Sequence, residues 1–393
     1  MIDYQNFIND KISSVKPSGI RKFFDIAVEM DNVISLSIGE PDFQTPWHIR
    51  EAGIVSLERG KTWYSPNRGF IELRKAIADY YKRRFNVEYD PDSQVLVTVG
   101  GSEGIDLCLR SVVSEGDEVL IPQPAFVCYE PLTTMAGGKP VIIETKQENN
   151  FRLLPDEIEK AVTDKTKVLV LPFPNNPTGA IMEREDLEKI AKVIIKHNLF
   201  VISDEIYGEL TYGGKHHVSI AEIDGMKERT LVVSGFSKSY AMTGWRLGYV
   251  LGPVEIVDHI TKLHQYGIMS SPTTAQYAAI EALKNGDHDV AVMRDDYDIR
   301  RRLIVGKLNE IGLTCFEPLG AFYTFPCIKS TGLSSDEFAT RLVQEKRVAV
   351  VPGTAFGECG EGYIRISYAQ SLKNIKTALK RIEEFVEELK SEG

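Results

Sequence analysis

The strongest constraint on the fold is an alternation that fills the middle of the chain. Short apolar, β-branched runs recur at 95–99, 118–121, 141–144, 168–171, 200–203, 231–234 and 247–251, and amphipathic stretches such as 187–197 separate many of them. Near-continuous apolar runs belong to strands buried on both faces, and parallel strands need long crossovers, usually helical. The pattern predicts an α/β fold with a mostly parallel central sheet covered on both sides. Such sheets take ligands outside the carboxyl ends of their strands. The residues that follow each run are therefore the first candidates for a site.

The C-terminal third reads differently. Charged helical stretches at about 289–310 and 372–389 surround short strands at 348–351 and 363–367, which predicts a smaller α+β unit. A chain of 393 residues also exceeds one ordinary core. The expected division is a large domain over 46–287 and a small domain built from 1–45 and 288–393, because the N-terminal segment carries too little apolar material to fold alone. The net charge of −10 argues against nucleic acid and anionic membranes as partners. No apolar run approaches the roughly 20 residues that cross a bilayer, and Met1–Lys11 has no export-signal pattern. The scattered Cys108, Cys128, Cys315, Cys327 and Cys359 form no CxxC pair, which fits reduced thiols in a cytoplasmic protein without a metal site. His216 and His217 follow a glycine turn and read as surface residues.

Five segments carry chemistry-bearing residues. Lys238 and Arg246 share a loop after the run at 231–234; the lysine is either a solvated loop residue or, desolvated near a second cation, a nucleophile, with the arginine able to hold a phosphate. Asp204 ends the run at 200–203; it either caps a following helix or faces a ring nitrogen, with Tyr207 on the same side of that helix. Gly100-Gly101-Ser102-Glu103-Gly104 stands between a strand and a helix, as a tight turn or as a helix N-terminus offering N–H groups to a phosphate. Asn176 lies in a Pro/Asn/Gly turn from which its amide can reach a ligand oxygen. Arg365, inside an apolar strand, needs a partner when buried: a structural salt bridge or a ligand carboxylate.

Taken in order, Ser37–Phe43 (SIGEPDF), Tyr64-Ser65-Pro66-Asn67, GGSEG, PAFVCYEP, NNPTG, SDEIY, GFSKSYAMTGWRLG and YIRISYA resemble the class I/II aminotransferases of pyridoxal 5′-phosphate (PLP) fold type I across nearly the whole chain. The subgroup most similar includes aspartate, aromatic and N-acetyl-diaminopimelate aminotransferases. The resemblance implies that Lys238 binds the PLP aldehyde and shuttles a proton, that Asp204 pairs with the pyridinium nitrogen, and that Tyr207 and Asn176 bind the phenolic oxygen. It implies a phosphate held by Gly101, Ser102 and Arg246, a ring stacked on Phe126, and a substrate carboxylate gripped by Arg365 with Asn176 and the Gly39 backbone. Tyr64 resembles the residue that reaches a neighbouring subunit's phosphate, so a homodimer with shared sites is implied. The implied reaction is ping-pong transfer from an L-amino acid to a 2-oxo acid such as 2-oxoglutarate. Two departures stand out: Gly235 replaces the serine that many relatives carry three residues before the lysine, and Phe126 replaces a tryptophan. The same lysine and aspartate would equally serve a C–S β-lyase. A ligand-sensing regulator on this fold would need a DNA-binding segment, and no basic helix-turn-helix precedes Ser37.

Overall fold

The protein is described here by a computed structural model that covers residue 2, residues 4–20 and residues 30–392. Part of the 1–45 segment therefore lies outside the described residues. Ile34–Ser35 (β1) stands apart from the central sheet. That sheet has seven strands: Val95–Thr98 (β2), Glu118–Gln123 (β3), Lys139–Glu144 (β4), Thr166–Leu171 (β5), Phe200–Asp204 (β6), Thr230–Gly235 (β7) and Gly248–Leu251 (β8). Every apolar run of the alternation supplies one of them. Their order is β2-β8-β7-β6-β5-β3-β4. The β3–β4, β3–β5, β5–β6 and β6–β7 pairs are parallel, while β8 runs antiparallel to both β2 and β7. The sheet is thus mixed but mostly parallel.

Burial follows from these pairings. Residues of β2, β3, β7 and β8 are buried throughout, as expected of strands covered on both faces. Helices Gly100–Val112 and Arg184–Lys196 turn their apolar sides inward, the first through Ile105, Cys108 and Leu109, the second through Leu187, Ile190 and Ile194. This 3.6-residue spacing is what made the second helix legible. A separate core gathers Ile304, Leu308, Phe338, Leu342, Ile382 and Phe385 with the short strands of the C-terminal region.

Those strands are Tyr323–Thr324 (β9), Val348–Ala349 (β10), Val351–Pro352 (β11) and Ile364–Ser367 (β12). The single strand expected at 348–351 divides at Val350. Its first half pairs in parallel with β1, and its second half joins the antiparallel sheet β11-β12-β9. Pro352 lacks an N–H, which suits β11 to the sheet edge it occupies. The β1–β10 pair carries the N-terminal segment onto the C-terminal third. The long helices Asp287–Glu310 and Leu372–Glu392 match the charged stretches read from sequence. Among the described residues, no helix is long and apolar enough to cross a membrane.

Candidate active site

The carboxyl edge of the central sheet collects the chemistry. β2 leads into Gly101 and Ser102, β3 into Phe126, β5 into Asn176, β6 ends on Asp204, and β7 leads to Lys238; all of these line one cavity of about 340 Å³. Because β8 is antiparallel, its start lies at the edge where the other strands end. Arg246, just before Gly248, therefore reaches the same cavity. From the C-terminal region β12 contributes Arg365 and β9 contributes Tyr323, and the Ser37–Phe43 loop adds Gly39 and Glu40.

The GGSEG segment resolves into a helix N-terminus, since Gly100–Val112 is helical. Its first-turn N–H groups have no intrahelical acceptor and carry the positive end of the helix dipole. Gly100 has φ +76°, and a Cβ there would come within 2.6 Å of Arg246 Nη2, so the guanidinium lies directly over the cradle. Gly235 faces Gly248 across the β7–β8 ladder, and a Cβ at 235 would stand 2.9 Å from the Gly248 Cα and from the Leu247 carbonyl. A serine there would need backbone to move. Ser237 lines the cavity instead.

Among the described residues, two buried charged groups of the cavity, Asp204 and Arg365, have no ion-pair partner of opposite charge. Asp204 is 7% exposed; Tyr129 Oη donates to its Oδ2 at 2.7 Å and the Ile206 N–H to its Oδ1 at 3.2 Å. Burial raises its proton affinity above the usual carboxylate value, Glu205 adds to the rise, and those two hydrogen bonds oppose it. Among the described residues no cation pairs with it at ion-pair distance. Arg365 is 2% exposed, and its Nη1 donates to Asn176 Oδ1 at 3.0 Å while its Nη2 donates to the Ser37 carbonyl at 2.5 Å. Its Nε has no partner and no acid pairs with it among the described residues, which removes the structural salt bridge. Lys238 Nζ donates to the Gly39 carbonyl at 2.6 Å. Burial brings its pKa down to about 8, with Glu40 opposing and Arg365 and Arg246 assisting.

Three expectations need correction or completion. No helix follows Asp204: residues 206–209 form a turn, begun by the Asp204 carboxylate accepting the Ile206 N–H, and this turn brings Tyr207 to the cavity. His217 is not a surface residue. Its side chain is 7% exposed, packs edge-on against Phe85, and places Nε2 3.2 Å from the buried Glu205 carboxylate. Tyr64 lies outside the cavity and is 77% exposed. Sequence reasoning also missed Tyr129 and Tyr323. Tyr129 stands three residues after Phe126, and the contacts that define each tyrosine come from distant parts of the chain.

Comparison with known proteins bears on this geometry directly. The family model for aminotransferase class I and II matches residues 31–382. The chain belongs to that family. An aspartate aminotransferase of Pyrococcus abyssi is 49% identical, over 98% of this chain and 99% of its own length. An aromatic-amino-acid aminotransferase of Thermococcus litoralis is 47% identical, over 98% of this chain and 99% of its own. A solved aromatic aminotransferase of Pyrococcus horikoshii superposes with a TM-score of 0.90 at 47% identity, covering 94% of this chain and 99% of that one. Class I and II aminotransferases use PLP and act on amino acids and oxo acids.

An aminotransferase cavity must accept PLP, and the unmatched groups provide the test. A buried carboxylate without a cation, an enclosed amine of lowered pKa, a helix N-terminus beneath an arginine and a buried arginine without an acid are each costly or incomplete alone. PLP with an amino acid carries a counterpart for every one: a ring nitrogen, an aldehyde, a phosphate and a carboxylate. The residues present fit the cofactor.

Proposed function

We propose that this aminotransferase holds PLP on Lys238 and moves an amino group from an L-amino acid of the aromatic, aspartate or diaminopimelate type to a 2-oxo acid, 2-oxoglutarate in our reading, by a ping-pong mechanism. The observation that carries the proposal is the pairing of a low-pKa lysine and an unpaired buried aspartate with an unpaired buried arginine in one cavity. When bound, PLP supplies an aldehyde for the amino group and a ring that takes up the electron pair released at the substrate Cα. Asp204, held in place by Tyr129, keeps a proton on the ring nitrogen. Tyr207 and the Asn176 amide donate to the phenolic oxygen; Asn176 Oδ1 is occupied by Arg365, which leaves Nδ2 to serve the ligand. Gly101, Ser102 and Arg246 hold the phosphate, with Ser237 in reach of the hydroxyl contact that Gly235 cannot make. Phe126 covers the ring. Lys238 moves the proton between the substrate Cα and the cofactor.

Arg365, with Asn176 and the Gly39 backbone, grips the substrate α-carboxylate. A charge-assisted hydrogen bond is worth about 1.5–3 kcal/mol. Arg365→Ala is therefore expected to weaken amino acid and oxo acid binding together, roughly ten- to a hundredfold, while amines without a carboxylate are spared. Steady-state kinetics with paired amino acids and amines checks this. Equal losses for both would make Arg365 a structural residue only.

We propose further that two chains form a homodimer with shared sites, and that the domains divide at 46–287 against 1–45 with 288–393. Exposed Trp63, Tyr64, Tyr266, Ile268 and Met269 support the dimer. The two segments that carry them lie side by side, since Asn67 Nδ2 donates to the Met269 carbonyl and Thr273 Oγ1 to that of Trp63. Contiguous apolar surface marks an interface. Tyr64 would reach across it to the phosphate in the partner's cavity. Mixing Lys238→Ala with Tyr64→Ala protein, each nearly inactive, should restore activity, since one site of the hybrid then carries both lesions and the other neither. Hybrids confirmed with two affinity tags but without recovered activity would refute the shared site.

A further inference from the structure

We infer that Tyr323 is a positioning residue for the cofactor's phenolic oxygen: its hydroxyl donates to Tyr207 and so turns the single Tyr207 proton into the cavity. The inference rests on the proposed contact of Tyr207 with that oxygen. Tyr323 is fully buried on β9 and lines the cavity, and its hydroxyl lies 2.9 Å from that of Tyr207. A phenol has one proton to donate. If Tyr207 gives its proton to the cofactor, its oxygen can only accept from Tyr323. The reverse orientation would spend the Tyr207 proton on Tyr323 and leave the cofactor oxygen without it.

One neighbour favours the first orientation, and another makes room for the hydroxyl. The Arg365 guanidinium stands 4.5 Å from the Tyr323 ring centroid, and a cation there stabilises the partial negative charge that builds on a donating hydroxyl oxygen. Gly39 leaves the hydroxyl its room, since a Cβ at that position would come within 2.6 Å of the Tyr323 oxygen. Hydrogen bonds in such a chain strengthen one another. One side chain thus backs both the phenolic-oxygen contact and the carboxylate-binding arginine.

The test is an absorbance titration of the holoenzyme. With the cofactor joined to Lys238, the linking nitrogen would share a proton with the phenolic oxygen, so a donor at that oxygen would lower the pH at which the visible spectrum changes. Tyr323→Phe keeps the ring over Arg365 and removes only the hydroxyl. The spectral midpoint should rise by about 0.4–1 pH unit, the equivalent of one ordinary hydrogen bond. Tyr207→Phe should raise it at least as much, and the double variant no further than Tyr207→Phe alone. Gly39→Ala, which crowds the Tyr323 hydroxyl without altering that residue, should also raise it and serves if Tyr323→Phe does not fold. If Tyr207→Phe raises the midpoint while Tyr323→Phe leaves it unchanged or lowers it, the inference falls and the cofactor contact stands. Additive effects in the double variant would also overturn it. A midpoint unmoved by Tyr207→Phe would remove the proposed Tyr207 contact, and the inference with it.

Discussion

Lys238→Ala is expected to abolish turnover and the visible absorbance of bound cofactor together. An ordinary lysine, with a pKa of 10.5, is almost wholly protonated near neutrality, whereas at about 8 roughly a tenth of Lys238 is the neutral, nucleophilic amine at pH 7. Burial is the main cause, so the effect belongs to the cavity and does not survive transfer of the lysine elsewhere. Loss of a positioned base alone costs roughly 10²–10⁴-fold in rate, and loss of the covalent anchor adds to that. Cofactor absorbance, turnover and thermal unfolding measured on the same preparation check the prediction. A folded Lys238→Ala protein that keeps either the absorbance or more than a small fraction of activity would contradict it.

Asp204→Asn should give the second-largest loss, with a different signature. The asparagine keeps the size and can still accept from Tyr129, whose hydroxyl lies 2.7 Å from Oδ2 in the native protein. What disappears is the negative charge that holds a proton on the ring nitrogen. Turnover is expected to fall roughly 10²–10³-fold, the usual worth of one preorganised electrostatic partner. The phosphate cradle and Lys238 are untouched, so cofactor should still bind. A Tyr129→Phe companion, which removes a donor but leaves the charge, should lose much less. Rate and bound cofactor measured side by side separate the two. Near-normal turnover in Asp204→Asn would end the ring-nitrogen role.

The seven central strands were legible because each is a short apolar run, and all but the edge strand β4 are largely buried by their own composition. The site was legible for a related reason: in a mostly parallel sheet the strand ends converge, so Ser102, Asn176, Asp204 and Lys238 had to meet wherever their strands paired. Contacts between remote segments were not legible. Tyr129 meets Asp204 across 75 residues and Tyr323 meets Tyr207 across 116; Tyr129 lies within the PAFVCYEP motif, but nothing local in either segment announces the distant partner. His217 was misread because its glycine turn signals surface, whereas Phe85 and Glu205, from other parts of the chain, cover the ring. The helix expected after Asp204 gave way to a turn because a short carboxylate competes for nearby N–H groups. The SIGEPDF loop showed a related limit: Arg300, buried in a distant helix, holds it through Asp42 Oδ1 at 2.7 Å.

The fate of the amino group tests the central claim most directly. Holoenzyme mixed with one equivalent of an amino acid donor, without acceptor, should release one equivalent of oxo acid and no ammonia, with the nitrogen retained on the cofactor and the visible absorbance lost. Addition of 2-oxoglutarate should then restore the absorbance and release glutamate in equal amount. Ammonia released in step with oxo acid, with the absorbance unchanged, would contradict transamination and assign the cavity to an elimination.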